Sequence, residues 1–185
     1  MPSNVELKAR LADPTRLIPV VRTMAHAHSV LRQEDTYFGA VQGRLKLRLQ
    51  EMLTESGEAQ DETATLYFYD RPDTVGPKRS DYDFIRFSTI DEASVLKRML
   101  SRSMGVRGIV KKKRHLFLVD QTRVHVDTVE GLGDFVELEV VLEETQTTAD
   151  GQAIAERLCK ELGIGEDDLI SGSYIDMLPH QPLWQ

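Results

Sequence analysis

Cysteine is nearly absent from this chain: Cys159 is the single one among 185 residues. A disulfide within the chain is therefore excluded, and the helical pattern "AIAERLCKELG" around Cys159 indicates a buried structural thiol. The sequence also lacks an apolar run of membrane-spanning length, and its first residues lack the basic-then-apolar order of a secretory signal. We expect a soluble, cytoplasmic protein that does not associate with a membrane.

An excess of positive charge is missing too, since 23 lysines and arginines stand against 30 aspartates and glutamates and the net charge is −7. This balance argues against a general nucleic-acid-binding protein, which needs broad neutralisation of phosphates. With 41% hydrophobic residues, the composition fits one globular domain over residues 1–185. Acidic residues gather in loop-like segments such as 54–62, whereas many basic residues occupy alternate positions in strand-like segments.

The segment "NVELKAR" (4–10) shows this alternation clearly. Residues two apart in a β-strand point to the same side, so Asn4, Glu6, Lys8 and Arg10 are predicted to share one face. Taken alone, the segment is an ordinary amphipathic strand with its polar face in water. The same alternation recurs in later strand-like segments, at Lys46, Arg48, Lys112, Arg114, Arg123, His125, Asp127, Glu137 and Glu139.

Strand patterns outnumber helical ones along the chain. Helices are predicted after Asp13, which is a favourable N-cap, after Thr89, which begins a capping box, and in the segment "TADGQAIAERLCKELG". The other segments indicate consecutive antiparallel strands. These patterns predict an α+β fold, with helices packed outside a closed or nearly closed barrel.

Charged residues on one face of such strands point either to solvent or into the barrel. The interior interpretation is more economical, because few helices are available to cover a second apolar face. Buried cations then require an anion, and buried carboxylates require a metal ion. A polyphosphate with Mg²⁺ or Mn²⁺ meets both needs, because arginine forks match phosphate oxygens and hard divalent cations bind carboxylate oxygens.

The chain resembles the CYTH superfamily, also called the triphosphate tunnel metalloenzymes, along nearly its whole length. The resemblance rests on "VELKAR", "QEDTYF" (33–38), "GRLKLR" (43–48), "VKKKR" (110–114), "TRVHVDTVEGLGDFVELE" (122–139) and "SYIDML" (173–178). Its Gly-Leu-Gly-Asp-Phe segment is most similar to class IV adenylyl cyclases and their relatives. The resemblance implies an eight-stranded antiparallel β-barrel whose basic residues bind a triphosphate and whose acidic residues hold one or two divalent metal ions.

The resemblance also implies a set of site residues. The implied triphosphate contacts are Lys8, Arg10, Lys46, Arg48, Arg86, Lys112, Arg114 and Arg123, and the implied metal ligands are Glu6, Glu137 and Glu139. Catalytic roles are assigned to Lys8, Lys46 and Asp127. The family's opening motif is Glu-x-Glu-x-Lys, and here its first position is Asn4, whose neutral amide is a weaker ligand for a hard cation.

Three functions follow as expectations. The first is a class IV adenylyl cyclase-like reaction that converts ATP to cyclic AMP and pyrophosphate. The second is a triphosphatase that hydrolyses inorganic tripolyphosphate, thiamine triphosphate or nucleoside triphosphates. The third is a non-catalytic polyphosphate- or nucleotide-binding module, for which Asn4 is the main argument. A homodimer would accord with the cyclase relatives.

Overall fold

An antiparallel barrel of eight strands forms the centre of the fold in a computed structural model of the chain, which describes residues 3–70 and 73–179. The strands are β1 (Ser3–Arg10), β2 (Ala27–Phe38), β3 (Arg44–Leu53), β4 (Ala59–Asp70), β5 (Lys78–Arg86), β6 (Val106–Val119), β7 (Thr122–Val129) and β8 (Gly133–Val141). They pair in the order β5-β4-β3-β2-β6-β7-β8-β1, and β1 also pairs with β5, which closes the barrel. The predicted α+β fold with an eight-stranded antiparallel barrel is therefore confirmed.

The α-helices of the described ranges are α1 (Pro14–Met24), α2 (Ile90–Met104), α3 (Thr148–Glu161) and the short α4 (Tyr174–Met177), and all lie outside the barrel wall; a 3-10 helix spans Glu166–Asp168. Two predicted helix starts are confirmed. The Asp13 side chain accepts a hydrogen bond from the Thr15 amide, and the Thr89 hydroxyl accepts one from the Glu92 amide. Within residues 3–70 and 73–179, none of the helices combines the length and the apolar character needed to cross a bilayer.

The main hydrophobic core lies between the barrel wall and the helices. On β1, Val5, Leu7 and Ala9 are buried, and Leu7 and Ala9 belong to a cluster that includes Leu17 of α1 and Leu158 of α3. Full burial of an aliphatic side chain of this size contributes about 1.5–3 kcal/mol. Because the apolar residues of β1 face the helices, alternation turns its polar residues toward the barrel interior.

One end of the barrel interior is covered by α4, and we call it the α4 end. Gly108 of β6 permits this contact, because a Cβ atom at that position would lie 2.6 Å from Cδ1 of Ile175. Asp176 holds α4 in place by accepting hydrogen bonds from Arg44, at 2.9 Å, and from Arg107. The neighbouring strand β9 (Leu169–Ile170) pairs with β1 at Lys8 and Ala9. These contacts hold α4 across the α4 end of the interior.

Candidate functional site

The barrel interior contains a cavity of about 330 Å³ lined largely by polar and charged side chains. Most of the site residues predicted from the sequence line this cavity: Glu6, Lys8, Lys46, Arg48, Arg86, Lys112, Arg114, Arg123, Glu137 and Glu139. Among the lining residues of the described ranges, lysines and arginines outnumber aspartates and glutamates by seven to four. Cationic side chains therefore predominate in the lining of the interior.

One side of the cavity is a cationic wall formed by Lys46, Arg48, Lys112 and Arg114, which come from β3 and β6. Three of these cations contact Asp35 of β2. Its carboxylate accepts hydrogen bonds from Arg48 Nε and Nη2 at 2.7 and 2.8 Å, from Lys112 Nζ at 3.0 Å and from Lys46 Nζ at 3.2 Å. Strand β2 lies between β3 and β6, so one carboxylate reaches cations on both neighbours.

The charges of this wall are set by burial and by one another. Burial raises the pKa of the Asp35 carboxyl, but the Arg48, Lys112 and Lys46 cations outweigh it and hold the pKa well below its usual range. Burial lowers the pKa of Lys112 to about 7, even though Asp35 raises it. Burial and the nearby Arg48 lower the pKa of Lys46 to about 8. Lys112 therefore stands near its midpoint at neutral pH, whereas Lys46 is mostly charged, and a bound anion would favour the charged form of both.

Asp127 lies behind the cationic wall rather than on the cavity surface. Its two oxygens accept hydrogen bonds from Arg114 Nε and Nη2, each at 2.7 Å, and Oδ2 accepts another from the Tyr174 hydroxyl at 2.8 Å. Its side chain is fully buried, and it is not among the cavity-lining residues. Burial raises the pKa of Asp127, but the Arg114 cation lowers it by more, so the pKa falls to about 2. The sequence assigned Asp127 a catalytic role, whereas its position is that of a group that orients Arg114.

Arg10 also lies away from the cavity. It is exposed at the end of β1, with its guanidinium carbon 5.5 Å from the centre of the Phe135 ring. Alternation placed Arg10 on the same face as Lys8, but β1 ends at this residue, beyond the pairing of Lys8 and Ala9 with β9. The structure therefore leaves Arg10 at the rim, where it does not contact the interior.

The opposite side of the cavity is a carboxylate wall formed by Glu6, Glu137 and Glu139 on β1 and β8. Glu6 and Glu139 are direct partners in the β1–β8 register. Like charges in such a position destabilise a sheet unless cations compensate them. Arg123 compensates Glu139 through two hydrogen bonds at 2.7 and 3.0 Å, and Lys8 lies 3.7 Å from Glu137.

His125 of β7 lies between two of these carboxylates. Its Nδ1 is 3.5 Å from Glu137 Oε2, and its Nε2 is 3.5 Å from Glu139 Oε2. Burial and the Arg114 cation lower the pKa of His125, so the neutral ring is favoured at neutral pH. Burial raises the pKa of Glu137, but Lys8, His125 and Arg114 together hold it well below its usual range. Burial likewise raises the pKa of Glu139, but Arg123 and His125 lower it by more, so Glu137 and Glu139 both stay ionised at neutral pH.

The carboxylate wall fits a divalent cation that also binds the ligand's phosphates. Within residues 3–70 and 73–179, no three histidine, cysteine, aspartate or glutamate side chains are arranged to hold an ion by themselves. Mg²⁺ does not need such a cage, because it is usually held by one or two carboxylates together with waters and substrate phosphates. The donors are oxygens of the facing Glu6 and Glu139, of Glu137, and of Asn4, whose buried Oδ1 has no hydrogen-bond partner among the described residues. This donor set suits a hard cation.

A sequence profile of the CYTH domain matches residues 3–174. The chain belongs to the CYTH family. A protein of Methanocaldococcus jannaschii that is named as a candidate adenylate cyclase is 21% identical over 180 residues, which are 94% of this chain and 97% of the relative.

Two solved structures share the fold. A protein of Pyrococcus horikoshii OT3 superposes with a TM-score of 0.73 at 18% identity, over 94% of this chain and 97% of its own. A Hippeastrum protein, described as a candidate adenylyl cyclase that reveals a dominant triphosphatase activity, superposes with a TM-score of 0.60 at 16% identity, over 94% of each chain. The barrel and its interior are thus those of the CYTH fold, whose members act on triphosphates in a tunnel with divalent metal ions in general.

Several cavity-lining residues were not predicted from the sequence. Asp35 is the most important of them, because three cations depend on it. The signal was present in the motif "QEDTYF", where Gln33, Asp35 and Tyr37 alternate in the same way as the charges of β1. The unpredicted residues also include four aromatic side chains, Tyr67, Tyr69, Tyr82 and Phe84. They were not predicted because aromatic residues are common in strands of any kind.

Proposed function

We propose that this protein is a divalent-metal-dependent enzyme that binds a triphosphate inside the barrel and cleaves one of its phosphoanhydride bonds. The observation that supports this proposal is one cavity with a cationic wall facing a carboxylate wall. Transfer of phosphoryl and nucleotidyl groups requires a positioned polyphosphate and neutralisation of its charge more than covalent help from the protein.

The two walls have different roles in the proposed reaction. Arg48 and Arg114 bind phosphate oxygens in bidentate fashion, and Lys46, Lys112 and Lys8 supply point charges. Asp35 and Asp127 keep the cations in place, because each accepts short hydrogen bonds from a cavity-lining arginine. Glu6, Glu137 and Glu139 would hold Mg²⁺ or Mn²⁺, which supplies Lewis-acid activation of the nucleophile and charge neutralisation on the phosphates.

The reaction that we propose first is cyclisation of ATP. The ribose 3′-hydroxyl attacks the α-phosphorus, the bond to the bridging oxygen of the β-phosphate breaks, and cyclic AMP, pyrophosphate and a proton are released. The similarity to the M. jannaschii protein supports this choice. In this reaction the cationic wall stabilises the leaving pyrophosphate.

A second candidate is hydrolysis at the terminal phosphate. Water attacks the terminal phosphorus, the bond to its bridging oxygen breaks, and orthophosphate, a proton and the shortened phosphate chain (pyrophosphate from tripolyphosphate, ADP from ATP) are released. This reaction requires no ribose. Two observations favour it: Asn4 occupies a position where the family motif has a carboxylate, and the Hippeastrum protein of the same fold has a dominant triphosphatase activity. A changed metal arrangement at Asn4 would alter which phosphorus the nucleophile reaches.

Incubation with ATP and, separately, with tripolyphosphate under the same metal conditions distinguishes the two candidates. Cyclic AMP and pyrophosphate from ATP, with no orthophosphate from tripolyphosphate, supports the cyclase. Orthophosphate from tripolyphosphate without cyclic AMP from ATP supports the triphosphatase. A rise in melting temperature with tripolyphosphate but no product from either compound would indicate the binding module instead, because binding to the native state alone stabilises it.

A further inference from the structure

Phe84 differs from the other apolar side chains that line the cavity in how exposed it is. It belongs to β5 and lines the cavity, yet 46% of its surface is exposed. A phenylalanine that only fills space between strands is normally buried, because exposure gives up the free energy of burial. An exposed aromatic ring that lines a charged interior offers a surface on which a planar apolar group of a ligand can stack.

The surroundings of Phe84 form an aromatic platform made of Tyr67, Tyr82 and Phe84. The centre of the Phe84 ring lies 6.2 Å from the centre of each tyrosine ring, at interplanar angles of 36° and 33°. These contacts hold Phe84 against the two tyrosines, and 46% of its surface remains exposed. Arg86 lies beside the platform, with its guanidinium carbon 5.7 Å from the centre of the Phe84 ring.

The platform lies further from the α4 end than some of the phosphate-binding cations do. On β4, the Tyr69 hydroxyl is 3.3 Å from Ser173 Oγ, which marks the α4 end. Tyr67, two residues along the strand, is the register partner of Phe84, and Arg86 follows two residues later on β5. At about 3.3 Å per residue, Phe84 and Arg86 are roughly 7 and 13 Å along the strand from that end.

Two cavity-lining lysines, Lys8 and Lys112, lie near the α4 end. Their Nζ atoms lie 4.0 and 5.5 Å from the centre of the Tyr174 ring. Cations continue from there along the cavity as far as Arg48, whose guanidinium carbon lies 5.6 Å from the centre of the Tyr67 ring, and the exposed aromatic surface of Phe84 lies beside them. A molecule that matches this order carries a chain of phosphates at one end and a planar apolar group at the other.

We infer that Phe84 is the stacking surface for the neutral base of a nucleoside triphosphate, and that it distinguishes such a ligand from inorganic tripolyphosphate. The inference rests on the proposed function, since it takes the phosphates to lie among the cations. A base stacks on any aromatic face, whereas inorganic tripolyphosphate has no group that covers Phe84. Arg86 disfavours the cationic thiazolium ring of thiamine triphosphate at the same place, because like charges repel.

The test compares Phe84→Leu with the matched variant Phe68→Leu. Phe68 lies on β4 beside Phe84's strand, is similarly exposed at 39%, and does not line the cavity. Calorimetric titrations with ATP, thiamine triphosphate and tripolyphosphate are made without divalent metal, so that no turnover occurs. We expect Phe84→Leu to weaken ATP binding roughly tenfold and to leave tripolyphosphate binding within about twofold. Phe68→Leu leaves both unchanged, and the unaltered protein binds ATP more tightly than thiamine triphosphate.

Other results overturn the inference in separate ways. Equal ATP affinity in the Phe84→Leu and Phe68→Leu variants, with tripolyphosphate still bound, rejects the stacking role and leaves the proposed function standing. Equal weakening of ATP and tripolyphosphate shows that Phe84 only supports the shape of the cavity. Tighter binding of thiamine triphosphate than of ATP rejects a neutral base. Failure of all three compounds to bind the unaltered protein rejects the proposed function itself.

Discussion

The cationic wall and the carboxylate wall are built from the same alternation but differ in how their charges are balanced. Asp35, the counter-charge of the cationic wall, has a side chain that is 1% exposed, whereas those of Glu137 and Glu139 are 13% and 16% exposed. The cationic wall therefore has an internal counter-charge that holds it together without a ligand. The carboxylates of the other wall are also paired with cations, Glu139 with Arg123 and Glu137 with Lys8 and Arg114, but their side chains reach the cavity surface, where an ion can contact them. The difference predicts that binding depends mainly on one wall and turnover on the other.

Replacement of Glu139 by Gln has the largest expected effect. The change keeps the shape of the side chain and removes the charge that a divalent cation needs, so turnover should fall by at least about 100-fold. The melting temperature should change little, because the partner Arg123 is partly exposed. Product formation and thermal denaturation measure the two effects.

The exposed Glu130 provides a control for this variant, because Glu130→Gln removes the same charge at a turn outside the cavity. Unchanged turnover in both Glu137→Gln and Glu139→Gln would show that the carboxylate wall does not hold the metal. That result would contradict the prediction that turnover depends mainly on the carboxylate wall.

Replacement of Asp35 by Asn should affect stability first. The variant leaves three buried cations without their shared carboxylate, and breaking a buried ion pair in this way costs about 3–5 kcal/mol of the free energy of unfolding. Tripolyphosphate should restore much of this loss, because its oxygens replace the missing anion. Urea denaturation with and without tripolyphosphate measures both effects.

The same substitution at the exposed Asp83 of β5 serves as the control for Asp35→Asn. An Asp35→Asn protein as stable as the Asp83→Asn protein would mean that the cationic wall does not depend on its internal carboxylate. Destabilisation without any recovery in tripolyphosphate would mean that the ligand does not reach these cations.

The pKa of Lys112 predicts proton uptake on binding. At pH 8 the Lys112 side chain is neutral in most molecules of the ligand-free protein, because its pKa is about 7. A bound anion favours the charged form and raises this pKa, so binding takes up a proton and weakens as the pH rises above 7. Metal-free titration calorimetry of tripolyphosphate at pH 8, in buffers of different ionisation enthalpy, should show uptake of up to about one proton by Lys112 and about half a proton by Lys46, whose pKa is about 8. Lys112→Met should reduce this uptake, and heats independent of the buffer would contradict the prediction.

Replacement of Arg10 by Ala has the smallest expected effect. Arg10 lies at the rim and does not line the cavity, so tripolyphosphate affinity should change by no more than about twofold, as for other exposed charges. Arg48→Ala removes a buried cation of the cationic wall and should weaken binding far more. Equal losses in the two variants would show that the anion extends beyond the α4 end.

The sequence was sufficient to predict the barrel and most of the cavity lining, because a period of two fixes which face each strand residue occupies. It was not sufficient where the outcome depends on a distant segment. Asp127 is removed from the surface by Arg114 and by Tyr174, which lies 47 residues further along the chain. Arg10 leaves the interior because of where β1 ends.

The sequence was also not sufficient to predict which cations contact Asp35. Its alternation with Gln33 predicts an inward side chain, but the number of cations around it depends on which strands flank β2. Strand β3 is its neighbour in sequence and β6 is not, so the contact with Lys112 spans 77 residues. Periodicity within a strand identifies the face of a residue, and only strand order identifies its partners.

The closure of the barrel by its first strand also determines when the site comes into existence during folding. Asn4 of β1 and Glu139 of β8 are 135 residues apart in sequence, yet they share a hydrogen bond. Contacts between such distant residues form late and make folding slow, because a long loop must close first. Strands β2 and β3 form a hairpin of neighbours in sequence, and so do β7 and β8, which carries Glu137 and Glu139. Glu6 joins these two carboxylates only when β1 pairs with β8, so the carboxylate wall is complete only in the step that closes the barrel.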